Sequence, residues 1–149
     1  MKNAFIHELG TLLDEAPEQL RAIPDAVFST PVAPGKWSPK QELGHLIDSA
    51  LNNIQRFVRG QYETEPHIVY DPDAWVAAMD YAHTSGDEVI AEWEIINRRL
   101  LAIVMHMPDE HLDNLVNTGK KAPELHTLNW LIDDYLVHLQ HHLGHILKP

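Results

Sequence analysis

The chain contains no cysteine. That excludes disulfides, cysteine-based zinc sites and thiol nucleophiles, and it fits a reducing compartment. Long apolar runs are also missing. The longest, Leu100 to Met105, is far below the roughly 20 residues that a membrane-spanning helix needs. Near the start, His7 and Glu8 interrupt the apolar stretch where a signal peptide needs an unbroken one. The expectation is a soluble, cytoplasmic protein with no membrane partner. Positive charge is scarce too: 11 Lys and Arg stand against 22 Asp and Glu, a formal charge of −11. Such a surface repels phosphate backbones, so nucleic acid is not expected as a partner. Abundance lies elsewhere. The 11 histidines equal Lys and Arg combined, and metal binding is the chemistry that such a composition suggests first.

A length of 149 residues fits one domain spanning 1–149, large enough to bury its own core. Helical spacing dominates. Phe5, Leu9, Leu12, Leu13, Ala16 and Leu20 form a stripe of period near 3.6, and Pro24 ends it. A second helix starts at Ser38, with Pro39 at the first helical position and Gln41 placed to complete a capping box. Its stripe is Leu43, Ile47, Ala50, Leu51, Ile54 and Val58, closed by Gly60. Asp71 and Pro72 open a short third helix. Ser85 and Glu88 open a long one that runs to about Met107 before Pro108. The polar segment from Pro108 to His126 reads as a long loop with one helical turn at Asp109 to Leu115, and a loop of that length in a small domain is often functional. Thr127 caps the last helix. Four long helices and a short one make an all-α helical bundle.

The densest histidine cluster lies on that last helix: His138, His141, His142 and His145. Two imidazoles four residues apart stack on one helix face and can chelate a divalent ion. Two pairs qualify, 138/142 and 141/145. Leu128, Ile132, Tyr135, Leu139, Leu143 and Ile146 define the apolar stripe. His142 falls roughly 50° from its centre and His138 roughly 90°, while His141 is about 150° away. The pair 138/142 therefore borders the buried side, His141 points to solvent, and His145 sits near the edge. Two ligands are too few for a tight site, and His45 is the natural third candidate. It lies almost opposite the stripe of its own helix, on a face with Asp48, Ser49, Asn52 and Arg56. That face is either solvated or turned toward a metal cleft between helices, and periodicity alone favours the former. Other metal schemes fail on spacing. Glu42-Leu-Gly-His45 is the one Glu-x-x-His match where a di-iron bundle needs two, and Leu139 stands where a zincin needs Glu.

The stretch Gly35-Lys-Trp-Ser-Pro-Lys-Gln-Glu-Leu-Gly-His45-Leu-Ile-Asp-Ser49 resembles the G-x-W-S-x-x-E-x-x-x-H-L-x-D-S segment of the DinB-like family. The tail His138-Leu-Gln-His-His142-Leu-Gly-His-Ile is similar to its closing H-x-x-x-H-x-x-Q-I motif, with His145 where Gln is common. The resemblance spans essentially the whole chain. It implies an up-down-down-up four-helix bundle, usually dimeric, with one divalent metal held by His45, His138 and His142. His145 leaves a shifted or four-histidine site open. Characterised members mostly transfer or rearrange groups using low-molecular-weight thiols, and others are described as metal-dependent hydrolases.

The expected function is therefore metal-dependent transfer of an electrophilic group to a small thiol. Hydrolysis with hydroxide in place of thiolate is the close alternative, and a non-catalytic metal-binding or dimerisation module is the third reading. No protein general base stands out beside the ligands. Three imidazoles suit Zn, Ni and Fe alike, so the metal is left open. Asp48 and Asp134 are candidate acceptors for imidazole N–H groups, because metal-bound histidines usually have one. Arg56 and the pair Arg98-Arg99 are candidates to orient an anionic small-molecule substrate or, equally, surface ion pairs. Trp37, Trp75, Trp93 and Trp130 read as core or interface packing. A homodimer is expected.

Overall fold

The structure is a computed structural model that describes residues 2–148. Helix α1 (Lys2–Arg21) buries Phe5, Leu9, Leu13, Ala16 and Leu20 of the stripe read from its spacing, while Leu12 is half-buried. A single turn, α2 (Asp25–Phe28), follows and sends Phe28 into the core. Its four residues are too few to show a period. Helix α3 (Pro39–Tyr62) begins at the expected capping box: Gln41 N–H donates to Ser38 Oγ, and Ser38 N–H donates to Gln41 Oε1. Two details differ from the pattern reading. The buried residue near the end is Phe57, while Val58 is exposed. Gly60 does not close the helix either. It admits neighbours, since a Cβ there would lie 2.8 Å from Leu128 and 2.9 Å from Val116.

Asp71 caps α4 (Pro72–Met79), which stops at Asp80 in the left-handed region. One 3-10 turn, Tyr81–His83, leads to α5 (Gly86–His106), where Ser85 accepts from Glu88 N–H. After Pro108 only a 3-10 turn forms, Asp109–His111, shorter than the expected one to Leu115. The rest of the polar segment folds into an antiparallel hairpin. Strands β1 (Leu115–Asn117) and β2 (Leu125–Thr127) pair with Val116 opposite His126. Three-residue strands carry too little alternation to be read from sequence. Thr127 caps α6 (Leu128–Leu147) by accepting from Trp130 N–H.

Contacts fix the topology. Lys2 Nζ donates to Met107 O and Arg98 to Leu13 O, so α1 and α5 run antiparallel. Lys40 reaches Ala82 O just before α5, while Gln61 meets His111 just beyond it, so α3 and α5 run parallel. Gly60 packs on Leu128 and His45 meets His138, which makes α6 antiparallel to α3. The four long helices are therefore up, down, down, up. Helices α5 and α6 each lie between α1 and α3, around a core that includes Trp93, Leu100, Ile132 and Leu139.

Candidate metal centre

Helix α3 packs against α4, α5, α6 and β1, so little of it is left to water. The face carrying His45, Asp48, Ser49 and Asn52 is buried, with exposures of 5%, 0%, 2% and 7%. This decides what periodicity left open, because the polar face turns inward. A buried polar group needs a partner, and the helix supplies several from its own backbone. Asn52 donates to Asp48 O and Asn53 to Ser49 O, each one turn back.

His45 meets α6 at the pair predicted by the wheel. Its Nε2 lies 3.1 Å from His138 Nε2. Ring centroids are 4.8 Å apart for His45 and His142 and 4.6 Å for His138 and His142. One nitrogen from each of the three lies within 4.8 Å of the other two. His142 donates its Nδ1–H to Glu42 Oε2 at 2.8 Å, which leaves the Nε2 lone pair as its ligand atom. Carboxylate support of this kind is what metal-bound imidazoles usually have. Burial, then the neighbouring His142, pushes His45 down to about 4 against the opposing pull of Glu42 and Asp73. Burial also pushes His138 down to about 4, helped by His142, His45 and His141. Both rings are thus neutral at neutral pH, the state that can ligate a cation.

These residues fit a divalent ion. Two neutral imidazole nitrogens pointed at each other over 3.1 Å are close to the spacing of about 3.3 Å expected for two ligands on a tetrahedral ion. Buried His45 Nδ1 has no hydrogen-bond partner among the described residues. Trp37 packs against the core, as expected of it, and also lies against the His45 ring at a centroid distance of 5.1 Å.

The other sequence candidates go elsewhere. Asp48 accepts from Tyr81 Oη at 2.7 Å. Asp134 is exposed on α6, where its charge acts on Arg56. Arg56 donates to Ile68 O through Nη2 and Nε, tying the segment before α4 to α3. Arg98 forms ion pairs with Glu94 and Asp14. His145 stands at the rim, its Nδ1 3.5 Å from Glu42 Oε2. The residue missed as imidazole acceptor is Glu42. Its one signal in the sequence is its place three residues before His45, and hence on the neighbouring turn of the same face.

Fold and site together define an up-down-down-up helical bundle with three imidazoles, His45 buried and His138 and His142 half-buried, converging between α3 and α6. The family model described as the DinB superfamily matches residues 7–146, and the chain belongs to that family. It is 28% identical over 145 residues to the Bacillus subtilis (strain 168) protein named "Putative metal-dependent hydrolase YfiT", covering 92% of this chain and 79% of that one. A Bacillus cereus (strain AH820) protein of the same designation is 25% identical over 150 residues, covering 98% of this chain and 83% of its own. The solved structure of Bacillus subtilis YfiT, described as a probable metal-dependent hydrolase with an unusual four-helix bundle topology, superposes with a TM-score of 0.82. That match has 26% identity and covers 99% of this chain and 84% of YfiT. No helix among the described residues is long and apolar enough to cross a membrane.

Proposed function

We propose that His45, His138 and His142 hold one divalent ion through their Nε2 atoms and that the protein is a metal-dependent enzyme, hydrolytic in its first reading. The observation that carries this is the convergence of three imidazoles, two kept neutral by burial and the third oriented by Glu42. Three protein ligands are the pattern of catalytic rather than structural sites. A divalent ion in such a set supplies Lewis acidity and lowers the pKa of a bound water or thiol. The chain's own residues do the rest. His138 and His142 present two nitrogens from one turn of α6, and His45 presents the third from α3. Glu42 holds the proton on Nδ1 of His142, and Trp37 shields one face of His45 from water.

The designation of the relatives supports hydrolysis. The donor set supports a second reading, transfer of an electrophilic carbon group to a small thiol. Neutral imidazoles leave the ion's full charge to favour a thiolate, which is the reactive form, and the chain has no cysteine to compete. Incubating protein loaded with Zn, Ni or Fe with activated esters and alkylating electrophiles, with and without bacillithiol, glutathione or cysteine, separates the two. Turnover without thiol supports hydrolysis, and turnover that requires thiol supports transfer. Both must disappear in His138→Ala. No turnover across the panel leaves a non-catalytic metal-binding module as the better description, and turnover that survives His138→Ala does not come from this centre. We further propose a homodimer. Trp130 and Val137, one heptad apart on α6, leave apolar side chains 46% and 64% exposed. A monomer mass by light scattering at micromolar concentration would refute it.

A further inference from the structure

A second set of donors lies one layer out from the three converging imidazoles. His141 and His145 are one turn apart on α6 with ring centroids 4.4 Å apart. Glu42 Oε2, which accepts from His142, also stands 3.5 Å from His145 Nδ1. Ligand atoms of Glu42, His142 and His145 all lie within 4.8 Å of one another. A cavity of about 490 Å³ opens over this group, lined by Val32, Glu42, His141, Gly144, His145 and Lys148.

We propose that this rim is a second divalent-cation site, in which His141 and His145 chelate the ion and Glu42 adds a carboxylate oxygen. Imidazoles four residues apart on a helix can take one ion together. A set of two imidazoles and a carboxylate suits borderline first-row cations such as Zn, Ni and Cu(II) rather than Ca or Mg. A carboxylate has lone pairs enough on its two oxygens to face His142 and a rim ion at once. Lys148 is the opposing charge on the same wall, and it is exposed.

The two sites differ in a way that predicts their order of filling. His45 is 5% exposed, whereas the His145 side chain is 62% exposed. Ordering mobile surface side chains has an entropic cost, so the rim binds more weakly than the centre. The proposal does not depend on what the inner centre does, because the rim keeps its own ligands when the inner histidines are removed.

Untagged, chelator-stripped protein titrated with Zn²⁺ by calorimetry near pH 7.5 tests this. Two equivalents per chain are expected, one tighter than the other. The double variant His141→Ala/His145→Ala loses the weaker equivalent and keeps the tighter one. The double variant His45→Ala/His138→Ala does the reverse, and in that background Glu42→Gln weakens the remaining equivalent at least tenfold. Far-ultraviolet circular dichroism confirms that each variant is folded, and the Cu(II) electron paramagnetic resonance signal of the variant lacking His45 and His138 gives a second readout of imidazole ligation at the rim. A single equivalent in the parent protein that survives loss of His141 and His145 overturns the site. So does a weaker equivalent that survives loss of His141 and His145, or one indifferent to Glu42→Gln. Failure of the tighter equivalent alone counts against the inner centre and leaves the rim standing.

Discussion

Glu42 and His142 are 100 residues apart in the chain and share a 2.8 Å hydrogen bond across the α3–α6 seam. The bond fixes the tautomer of the imidazole, with the proton on Nδ1 and the lone pair on Nε2. Losing such support weakens metal affinity by about 10- to 100-fold. Glu42→Ala is therefore expected to raise the Kd of the tighter equivalent by that factor. Glu42→Gln, whose carbonyl oxygen can still accept the proton, loses less. Equal affinity in Glu42→Ala and the parent protein, measured by competition with a chromophoric chelator, would show that the bond does not matter to the ion.

The neighbouring histidines on α6 should divide sharply. A ligand that binds only the native state stabilises by about 4 kcal/mol at a thousandfold its Kd. The corresponding rise in Tm should fall in His142→Ala to no more than the smaller one the rim can give and should largely persist in His141→Ala, whose ring lies outside the inner trio. The measurement is thermal unfolding with excess Zn²⁺ against the same protein in chelator. If both variants lose the increment equally, the division of α6 into inner and rim histidines is wrong.

How much of this could be read beforehand depends on the length of the signal. The four long helices each repeat their apolar spacing over several turns, and Ser38, Ser85 and Thr127 cap where their side chains imply. The pair His138/His142 was legible because it sits at the edge of a long stripe. His45 was not legible from periodicity. Its polar face is buried by α4 and α6, elements remote in sequence that no single-helix pattern can include, and only the family motif placed it. The hairpin and α2 escaped because three or four residues show no period. Glu42 was not legible as the imidazole acceptor because its bond to His142 crosses from α3 to α6, a juxtaposition that no single-helix pattern contains.

Gly44 tests the packing that holds this polar face in place. A Cβ at this position would lie 2.2 Å from the ring of Tyr81, whose hydroxyl donates to Asp48. Tyr81 is itself buried and cannot swing out without opening the core. Overpacking of this kind typically costs about 1–3 kcal/mol, more than the helix propensity gained from alanine, about 1 kcal/mol. Gly44→Ala should lower stability in urea denaturation, and a variant as stable as the parent protein would mean that Tyr81 relocates freely.

Asp48 supplies a pH signature separable from the histidines. Burial pushes its carboxyl up from 3.8 to about 6, and the hydrogen bond from Tyr81 offsets only part of that. Its other oxygen, Oδ2, is buried with no partner among the described residues. Between pH 3.8 and 6 the folded protein holds the Asp48 proton while the unfolded chain has released it. The stabilising contribution of the protonated form is therefore complete below about pH 4 and lost as pH rises through 6. At pH 7.5 the fold carries a buried carboxylate at a cost of up to about 3 kcal/mol. Asp48→Asn removes this proton equilibrium and keeps an oxygen for Tyr81. The stability of Asp48→Asn relative to the parent protein should accordingly rise between pH 4.5 and 7.5, while the contributions of His45 and His138, common to both proteins, cancel in the difference. Urea denaturation of both in chelator at four pH values across that range measures it. A difference that stays flat, or that falls as pH rises, would show that the Asp48 carboxyl titrates as if it were in water.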